Sequence, residues 1–333
     1  MTEESFSNYQ IQQKKIATSE DIHEINKQGS FVRQKNRFIT PFGDELGQLP
    51  VEAGRYRLLW ARICPWAHRS IIVRELLGLQ DVISVGTAAP IRTDKGWEFS
   101  LDKDKVDPVL KIQYLAEIYE ATDPEYTGRA TVPTVVDVLT GKVVNNDYFK
   151  LTNYLETSFK RFHKAGAPDL YPESLREDID TFNDMLFHDV NNGVYKAGFA
   201  KSQAAYEAAY DRLFSRLDEL EERLSHQRYL FGDKITDADV RFYVTLVRFD
   251  AAYYSVFKVN RNRIIDFPNI WNYAKDLYQT SGFGSTTDFE SIKKGYQLGN
   301  LENNPYQLLT KGPDISIWNE PHDRNRFDEK VGK

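Results

Sequence analysis

The 333-residue chain contains one cysteine, Cys64, in the stretch CPWAHR. An apolar run with strand spacing precedes this stretch and a run with helical spacing follows it, so Cys64 is predicted to lie at the start of a helix. The first turn of a helix has unpaired N–H groups and the positive end of the helix dipole, and both stabilise a thiolate. The thiolate is the nucleophilic form of cysteine. A lone cysteine is usually a small buried hydrophobic residue, but this position predicts a reactive thiol.

No second thiol is available within the chain for a dithiol mechanism, because the fourth position of the stretch is Ala67. A thiol-exchange reaction at Cys64 therefore takes its second thiol from outside, and a small thiol such as glutathione is the obvious source. His68 is the nearby soft metal ligand, but no second Cys/His pair has ligand spacing, so the sequence predicts no metal site. Arg69 is expected in the first helical turns, where its charge would support the thiolate or an anionic substrate.

The residues around this cysteine predict a small α+β unit. Its apolar runs follow in the order β-α-β-α-β-β-α, and they read RYRLLWARI, PWAHRSIIVRELLG, DVISVGT, DPVLKIQYLAEIYEA, VPTVVDVLTGKVVNN and YFKLTNYLETSFKRF. Proline suits the first turn of a helix and glycine its end, so the first helix is predicted to begin at Pro65 and to stop at Gly78. Asp107 is predicted to cap the second helix. This order is typical of a thioredoxin-like domain.

A proline precedes the third predicted strand in the stretch RATVPTVVD. In a thioredoxin-type fold such a proline is often cis, and the residue before it faces the active-site cysteine. If the bond between Val132 and Pro133 is cis, Val132 offers its N–H and C=O groups to an extended peptide ligand, as in strand addition. The alternative is an ordinary proline on an edge strand.

The second half of the chain shows almost no strand signal. Its apolar residues recur every three or four positions, which predicts a helical bundle. Thr236 and Asp239 have the spacing of a capping box at the start of one of these helices. The predicted division of the chain is an N-terminal extension at 1–50, a thioredoxin-like thiol-binding domain at 51–164, an all-α substrate domain at 170–310 and a C-terminal tail at 311–333.

Composition excludes several classes of partner. The formal net charge is -6 and basic residues dominate no long stretch, so a nucleic-acid groove is not expected. One cysteine rules out internal disulfides and favours a reducing compartment. The N-terminus lacks the apolar core of a signal peptide, and no window reaches the length of a membrane span. The sequence therefore predicts a cytoplasmic protein without nucleic-acid or membrane partners.

Several motifs together resemble those of the glutathionyl-hydroquinone reductases, the Xi class of the glutathione-transferase superfamily. These motifs are CPWAHR, the GW at 96–97, GRATVP, NNGVYKAGFA, TDADVRFYVTLVRFD and NEPHDRNRF. The resemblance implies a thioredoxin-like domain followed by an all-helical domain, and a homodimer. It implies no tightly bound cofactor, with glutathione as co-substrate and aromatic quinone-derived thioethers as substrates. In the implied reaction the cysteine removes the glutathionyl group as a mixed disulfide, and a second glutathione releases oxidised glutathione.

The resemblance also implies roles by position. Cys64 matches the nucleophile. The residues that match glutathione contacts are Trp97, Arg129 and Val132, and the tyrosines that match those facing the aromatic substrate are Tyr195, Tyr253 and Tyr296. A tyrosine hydroxyl could act there as a hydrogen-bond donor or general acid towards the leaving group.

One pair of residues departs from the family pattern. Where the family usually has a Glu-Ser pair that grips the γ-glutamyl end of glutathione, this chain has Asp147 and Tyr148. Asp147 keeps the negative charge on a shorter arm, while the phenol of Tyr148 replaces a small hydroxyl. A related low-molecular-weight thiol therefore stays open as the co-substrate. Two other readings also stay open: an omega-like thiol transferase or dehydroascorbate reductase, and a non-enzymatic binding module with this fold.

Overall fold

The alternating apolar residues after position 55 form the central strand of a four-stranded sheet in a computed structural model, which describes residues 24–299 and 304–332. The strands are β1 (Tyr56–Ala61), β2 (Ile83–Ala88), β3 (Thr134–Asp137) and β4 (Lys142–Asn145). Their order across the sheet is β2-β1-β3-β4. β1 and β2 are parallel, and the other neighbours are antiparallel. All six residues of β1 are buried, as expected of a strand covered on both faces.

Three helices complete this domain, and the predicted order β-α-β-α-β-β-α is confirmed. They are α1 (Pro65–Leu77), α2 (Leu115–Thr122) and α3 (Leu151–Glu156). α1 begins at Pro65 and ends at Gly78, as predicted. Gly78 takes a left-handed backbone conformation with φ of 74°, which glycine adopts without steric cost.

The predicted start of the second helix is wrong. α2 begins at Leu115 and not near Asp107, and Tyr114 is its N-cap residue. Asp107 is fully buried, and its Oδ2 atom pairs with Nη2 of Arg57 at 2.8 Å. Its Oδ1 atom accepts hydrogen bonds from the N–H groups two and three residues further on, at 3.0 and 2.8 Å. Asp107 therefore stabilises a turn, and the capping signal in the sequence belongs to that turn.

The second half of the chain is helical, as predicted. Its helices are α4 (Arg176–Leu186), α5 (Gly193–Gly198), α6 (Gln203–His226), α7 (Asp237–Arg248), α8 (Tyr254–Val256), α9 (Pro268–Gln279) and α10 (Phe289–Leu298). The predicted capping pair opens α7, since the Asp239 carboxylate accepts hydrogen bonds from the N–H and hydroxyl groups of Thr236 at 2.8 and 2.9 Å. All twelve residues of α7 are buried, so this helix forms the centre of the domain.

Two π-helical turns interrupt the regular helices. One covers Phe187–Asn191 after α4, and the other covers Phe249–Tyr253 after α7. In the first, the N–H group of Asn192 donates to the carbonyl of Phe187, five residues earlier, at 2.8 Å. π-Helical turns are frequent at functional sites. Here they position Asn192 and Tyr253, both of which face the predicted active site.

An N-terminal segment, residues 24–50, crosses both domains without forming a helix or strand in its described part. Ile39 pairs with Asn145 at the edge of the sheet, and Arg33 donates hydrogen bonds to Asn192 of the helical domain. The part of the predicted extension at residues 1–23 lies outside the described residues. The described ranges contain no helix that is both long enough and apolar enough to span a bilayer.

The described residues of the C-terminal tail form two short 3₁₀ turns, Ser316–Asn319 and Arg324–Gly332. The Trp318 ring packs against Trp271 with ring centroids 4.8 Å apart. Arg324 is fully buried and donates hydrogen bonds to backbone carbonyls at the end of α6. The tail therefore contacts both α6 and α9 of the second domain.

Candidate active site

Cys64 is the N-cap residue of α1, at the point where the chain leaves β1 and enters the helix. Its thiol donates to the carbonyl oxygen of Val132, with Sγ and O 3.3 Å apart. The backbone N–H groups of Trp66 and Ala67 interact with the sulfur from the first turn of α1. The side chain exposes 8% of its surface. A second thiol would therefore approach Cys64 through a narrow opening.

Burial raises the pKa of the Cys64 thiol above its ordinary value. The N–H groups of Ala67 and Trp66 and the charges of Arg248 and Arg33 act in the opposite direction. The hydrogen bond from the thiol to Val132 also favours the protonated form, because a thiolate has no proton to donate. The predicted stabilisation by the helix start is therefore present, but burial outweighs it in this structure.

The turn before Cys64 is held from the helical domain by Arg248, the last residue of α7. Its Nε and Nη2 atoms donate to the carbonyls of Ile63 and Arg62 at 2.8 and 3.0 Å. Its Nη1 atom lies 3.2 Å from Nδ1 of His68. Because Arg248 is fully buried, these hydrogen bonds hold the backbone that precedes Cys64 in place.

The two polar residues that follow the cysteine motif are buried. Nε2 of His68 lies 2.8 Å from the hydroxyl of Thr286, and burial holds the pKa of this imidazole well below its usual value. Nη2 of Arg69 donates to Oδ1 of Asn191 at 2.8 Å, and its guanidinium stacks 4.7 Å from the ring of Trp66. The expectation that these side chains line the first helical turns fits their positions in α1, but both face the domain interface and not solvent.

The peptide bond between Val132 and Pro133 is cis. The carbonyl of Val132 accepts the hydrogen bond from Cys64, while its N–H group has no hydrogen-bond partner among residues 24–299 and 304–332. Val132 therefore presents an unused backbone donor beside the sulfur.

Arg129 and Trp97 are each in contact with side chains from other loops. Nη2 of Arg129 donates to Oε1 of Glu24 at 2.5 Å, and its buried Nε atom has no partner in the described chain. The Gln34 amide bonds to both the N–H and C=O groups of Arg129, each at 3.1 Å. The guanidinium of Arg92 lies 5.4 Å from the centre of the Trp97 ring. The N-terminal segment thus binds Arg129, a residue that the resemblance assigns to glutathione binding.

Asp147 and Tyr148 lie in the turn before α3. Oδ1 of Asp147 accepts a hydrogen bond from the Asn36 side chain at 3.2 Å and from the N–H groups two and three residues further on, at 3.1 and 3.3 Å. The ring of Tyr148 packs 5.3 Å from that of Trp66 and stacks 6.1 Å from that of Phe187. The carboxylate therefore organises a turn, and the phenol fills space next to the first turn of α1.

The three predicted tyrosines come together as a closed triangle of hydroxyl groups. The oxygen of Tyr195 lies 2.5 Å from that of Tyr296 and 3.3 Å from that of Tyr253, and the last two are 3.1 Å apart. Burial raises the pKa of all three. The ring of Tyr195 lies 5.9 Å from that of Trp66, two residues after Cys64, so the triangle adjoins the start of α1.

Two arginines near the site have no signal in the sequence. Arg33 lies over the rings of Trp66 and Tyr195, and Arg92 lies over Trp97. Both occur in polar loop segments whose spacing predicts neither helix nor strand. Only the folded chain brings them to the cysteine. No three His, Cys, Asp or Glu side chains of the described residues are grouped to hold a metal ion.

Two clefts elsewhere have volumes of about 280 and 340 Å³. The first is lined by residues that include Glu156 and His163, and the second by residues that include Trp60 and Thr287. Neither is lined by Cys64 or by the tyrosine triangle. The second lies along α1 on the side of Thr286, the partner of His68. The two clefts are therefore separate from the residues predicted to carry the chemistry.

Two protein-family models match the sequence of this chain. Residues 63–158 match the model of the glutathione S-transferase N-terminal domain, and residues 203–276 match that of the C-terminal domain. The first range contains Cys64 and all the predicted thiol-binding residues, and the second contains Tyr253.

Curated relatives resemble most of the chain. Glutathionyl-hydroquinone reductase YqjG of Escherichia coli is 38% identical over 84% of this chain and 85% of its own. Glutathionyl-hydroquinone reductase PcpF of Sphingobium chlorophenolicum is 38% identical over 86% of this chain and 90% of its own. Glutathione S-transferase omega-like 2 of Schizosaccharomyces pombe is also 38% identical, over 86% of this chain and 95% of its own.

Solved structures show the same architecture. The glutathione S-transferase Xi of Phanerochaete chrysosporium superposes with a TM-score of 0.84 at 40% identity, covering 90% of this chain and 96% of that one. The glutathione-bound structure of YqjG superposes with a TM-score of 0.80 at 36% identity, covering 90% of this chain and 98% of that one. The two-domain arrangement described above is therefore common to these proteins.

Proposed function

Since the chain belongs to the glutathione S-transferase family, we propose that it is a glutathionyl-hydroquinone reductase that works through Cys64. The relatives that bear this name match the chain over most of its length. The observation that carries the proposal is the pairing of one cysteine at a helix start with a triangle of tyrosine hydroxyls beside it. A nucleophile and a group of proton donors are what cleavage of an aromatic thioether needs.

Glutathione binding would use the residues that the resemblance assigns to it. The free N–H group of Val132 would pair with the peptide backbone of glutathione, as in strand addition. Arg129 would form a two-pronged hydrogen bond with a carboxylate, and Asp147 would pair with the γ-glutamyl ammonium. Trp97 would pack against the tripeptide. The glutathione-bound structure of a relative supports glutathione as the ligand, and the proposal includes no tightly bound cofactor.

In the first step, the Cys64 thiolate attacks the sulfur of the thioether, and the bond between that sulfur and the aromatic carbon breaks. The electron pair of that bond goes to the aromatic carbon, which takes a proton from a tyrosine of the triangle. The products are the free hydroquinone and a disulfide between Cys64 and glutathione. The aromatic carbon is reduced and the two sulfurs are oxidised.

In the second step, the thiolate of another glutathione attacks the glutathione sulfur of the mixed disulfide. Oxidised glutathione leaves and Cys64 returns as a thiolate. The proton of the incoming thiol restores the tyrosine. The net reaction converts one glutathionyl-hydroquinone and one glutathione into hydroquinone and oxidised glutathione, so atoms and electrons balance.

The test is a comparison of wild type with Cys64→Ala on glutathionyl-menadiol and excess glutathione. Wild type is expected to release menadiol, and the variant to release none above background, because it lacks the sulfur that accepts the glutathionyl group. Intact-mass measurement after mixing with substrate alone should show one glutathione added to wild type and none to Cys64→Ala. Equal release by the two proteins would refute the proposal.

A second candidate is an omega-like thiol transferase, which the name of one relative supports. The two reactions differ in their need for a proton donor at carbon, since a simple glutathione mixed disulfide releases a thiolate instead. Tyr195→Phe should therefore slow release of menadiol much more than reduction of a glutathione mixed disulfide. An equal effect on both substrates would favour the transferase.

Assembly and location complete the proposal. A homodimer is implied by the resemblance, and light scattering behind a sizing column would test it. A cytoplasmic location rests on the single cysteine, which favours a reducing compartment. If wild type and Cys64→Ala both lack turnover and Cys64 forms no glutathione adduct, the chain is instead a binding module with this fold.

A further inference from the structure

Arg33 reaches the active site from the N-terminal segment. The backbone on both sides of it is held, since Phe31 pairs with Ile25 and Gln34 bonds to Arg129. The side chain is half-buried and points towards the helical domain, where Nε and Nη2 donate to Oδ1 of Asn192 at 3.2 and 3.1 Å. Contacts with both domains therefore fix the position of Arg33 in the site.

The guanidinium of Arg33 lies in a box of aromatic rings. Its central carbon is 4.7 Å from the centre of the Trp66 ring, 5.0 Å from that of Tyr195 and 5.2 Å from that of Phe31. Cations are attracted to the faces of such rings. No carboxylate in the described part of the chain forms an ion pair with Arg33, and a neutral amide is its hydrogen-bond partner. Three of its five N–H donors therefore remain unused.

An unpaired cation in a partly buried site favours negative charge on its neighbours. Burial raises the pKa of Cys64, of Tyr195 and of Tyr148, and in each case the charge of Arg33 opposes that rise. For the two tyrosines it is the largest opposing effect. The group thus acts on both the nucleophile and the tyrosine that adjoins it.

We propose that Arg33 is an active-site residue that stabilises the anions formed at Cys64 and Tyr195 during the reaction. The part concerning Tyr195 rests on the proposed function, while the part concerning Cys64 does not. When Tyr195 gives its proton to the aromatic carbon, negative charge appears on the phenol whose ring centre lies 5.0 Å from the Arg33 guanidinium, a cation with no ion-pair partner in the described part of the chain. The hydrogen bonds to Asn192 keep the guanidinium in place while this charge forms.

Other charged and titratable groups also act on Cys64, and the test must hold them constant. They are Arg248 from α7, Arg69 from α1, Arg92 from the loop after β2 and Tyr195 from α5. None of them contacts the Arg33 side chain except Tyr195. A substitution of Arg33 therefore leaves the three other cations in place.

The experiment uses Arg33→Met, which removes the charge and keeps an unbranched side chain, and Arg33→Lys, which keeps the charge. Arg37→Met is the matched control, because Arg37 is an exposed arginine of the same segment that pairs with Asp123. Two quantities are measured on the full-length protein. One is the rate of Cys64 alkylation by iodoacetamide against pH, and the other is menadiol release in a single turnover. Thermal midpoints report whether each variant is folded.

For Arg33→Met we expect the alkylation midpoint to move to higher pH and single-turnover release to fall on the order of 10²-fold, the usual loss when a preorganised charge-stabilising group is removed. Arg33→Lys should keep the alkylation midpoint near that of wild type, and Arg37→Met should change neither quantity. An unchanged alkylation midpoint in Arg33→Met would overturn the proposal. So would equal losses in Arg33→Met and Arg37→Met together with lowered thermal midpoints.

The two proposals fail in different ways. If wild type releases no menadiol, the reductase function is wrong, and the alkylation profile still decides whether Arg33 acts on Cys64. If wild type is active and Arg33→Met matches it in both measurements, the function stands and the role of Arg33 is refuted.

Discussion

At the residue scale, the ring of Tyr148 occupies the position where the resemblance implies a small hydroxyl group. Its ring lies against Trp66 and Phe187, next to the turn that Asp147 organises. Asp147 is already engaged with Asn36, so its carboxylate would have to exchange that partner for the ammonium of a thiol ligand. If these residues bind the γ-glutamyl end of glutathione, as the proposed function has it, the space for that end is smaller than a Glu-Ser pair would leave.

Replacing this phenol should favour glutathione. We expect Tyr148→Ser to lower the KM for glutathione roughly 3- to 10-fold, the value of about one added hydrogen bond, because a hydroxyl and free space replace the ring. Steady-state kinetics at fixed glutathionyl-menadiol would measure it. Tyr154→Ser, in the helix that follows this turn and packed against Phe42, is the control and should leave this KM unchanged. A raised KM in Tyr148→Ser would show that the phenol itself binds the thiol.

Asp250 offers a pH-dependent test of stability. Its carboxylate accepts hydrogen bonds from the N–H groups of Ile264 and Ile265 at 2.6 and 3.4 Å, and burial raises its pKa from 3.8 to about 6. Because the folded-state pKa is the higher one, the contribution of this group to stability is complete below the unfolded-state pKa. It is lost as pH rises through the folded-state value.

Asp250→Asn removes this titration while keeping an oxygen acceptor. The free energy of unfolding of wild type minus that of the variant should therefore fall between pH 4 and pH 7 by about 2 kcal/mol, which is most of what a shift of about two pKa units contributes. Urea unfolding at several pH values in this range would measure the difference. A difference that stays level with pH would contradict the assignment.

Individual site residues differed in how far the sequence could predict them. Cys64 was accessible to prediction because a proline, a strand and a helical run define its position, and Val132 because a proline marks the loop that faces it. Arg33 and Arg92 were not, since each depends on a loop folding back over a distant element. The pKa of Cys64 was also beyond reach, because it depends on how deeply the sulfur is buried.

At the scale of elements, the N-terminal segment lies across the groups that the proposed function gives to glutathione. Glu24 and Gln34 bond to Arg129, and Asn36 bonds to Asp147. The Glu24 carboxylate takes the position on the arginine fork that a glutathione carboxylate would need. The segment and the thiol ligand therefore compete for the same side chains.

Removing the charge of Glu24 should ease this competition. We expect Glu24→Gln to lower the KM for glutathione several-fold, because a neutral amide holds the Arg129 guanidinium about 1 kcal/mol less tightly than a carboxylate does. Glu45→Gln is the control, since Glu45 is an exposed residue of the same segment that bonds to Gln48. If Glu24→Gln instead raises the KM, the Glu24 carboxylate is part of the thiol site.

Elements with a local signal were predicted, and those set by distant contacts were not. Pro65 and Gly78 mark the ends of α1 by their own backbone preferences. The start of α2 was missed because Asp107 caps a separate turn before the helix, where it also pairs with the buried Arg57. The π-helical turns differ from a regular helix only in the offset of their hydrogen bonds, for which the sequence has no pattern.

At the scale of the whole molecule, the C-terminal tail ties helices of the second domain together. Arg324 donates to the carbonyls of Leu224 and Arg228 at 2.9 and 2.8 Å and also to that of Gln227. These bonds give partners to carbonyl groups at the C-terminal end of α6. Trp318 packs between α9 and α10, near Trp271. The last residues of the chain thus complete the bundle that carries Tyr253 and Tyr296.

Loss of the Arg324 hydrogen bonds should destabilise the protein. We expect Arg324→Met to lower the free energy of unfolding by roughly 2–4 kcal/mol, because buried carbonyls lose charged donors. Urea unfolding followed by circular dichroism would measure it. Arg326→Met, which removes a more exposed arginine two residues further on, should cost far less. Equal losses in the two variants would show that the end of α6 does not depend on Arg324.

The π-helical turn at Phe249–Tyr253 has a consequence for how the chain tolerates changes in length. It inserts one residue more than a regular helix would hold between α7 and α8, so Tyr253 owes its direction to a count of residues and not to a local preference. Deleting Ala251 would give a regular helix and leave the side chains of α8 in their present directions, whereas closing the turn with all its residues kept would rotate them by about 100° around the axis. The π-helical turn therefore decides which phenol meets Tyr195, and this stretch can lose one residue without changing that contact.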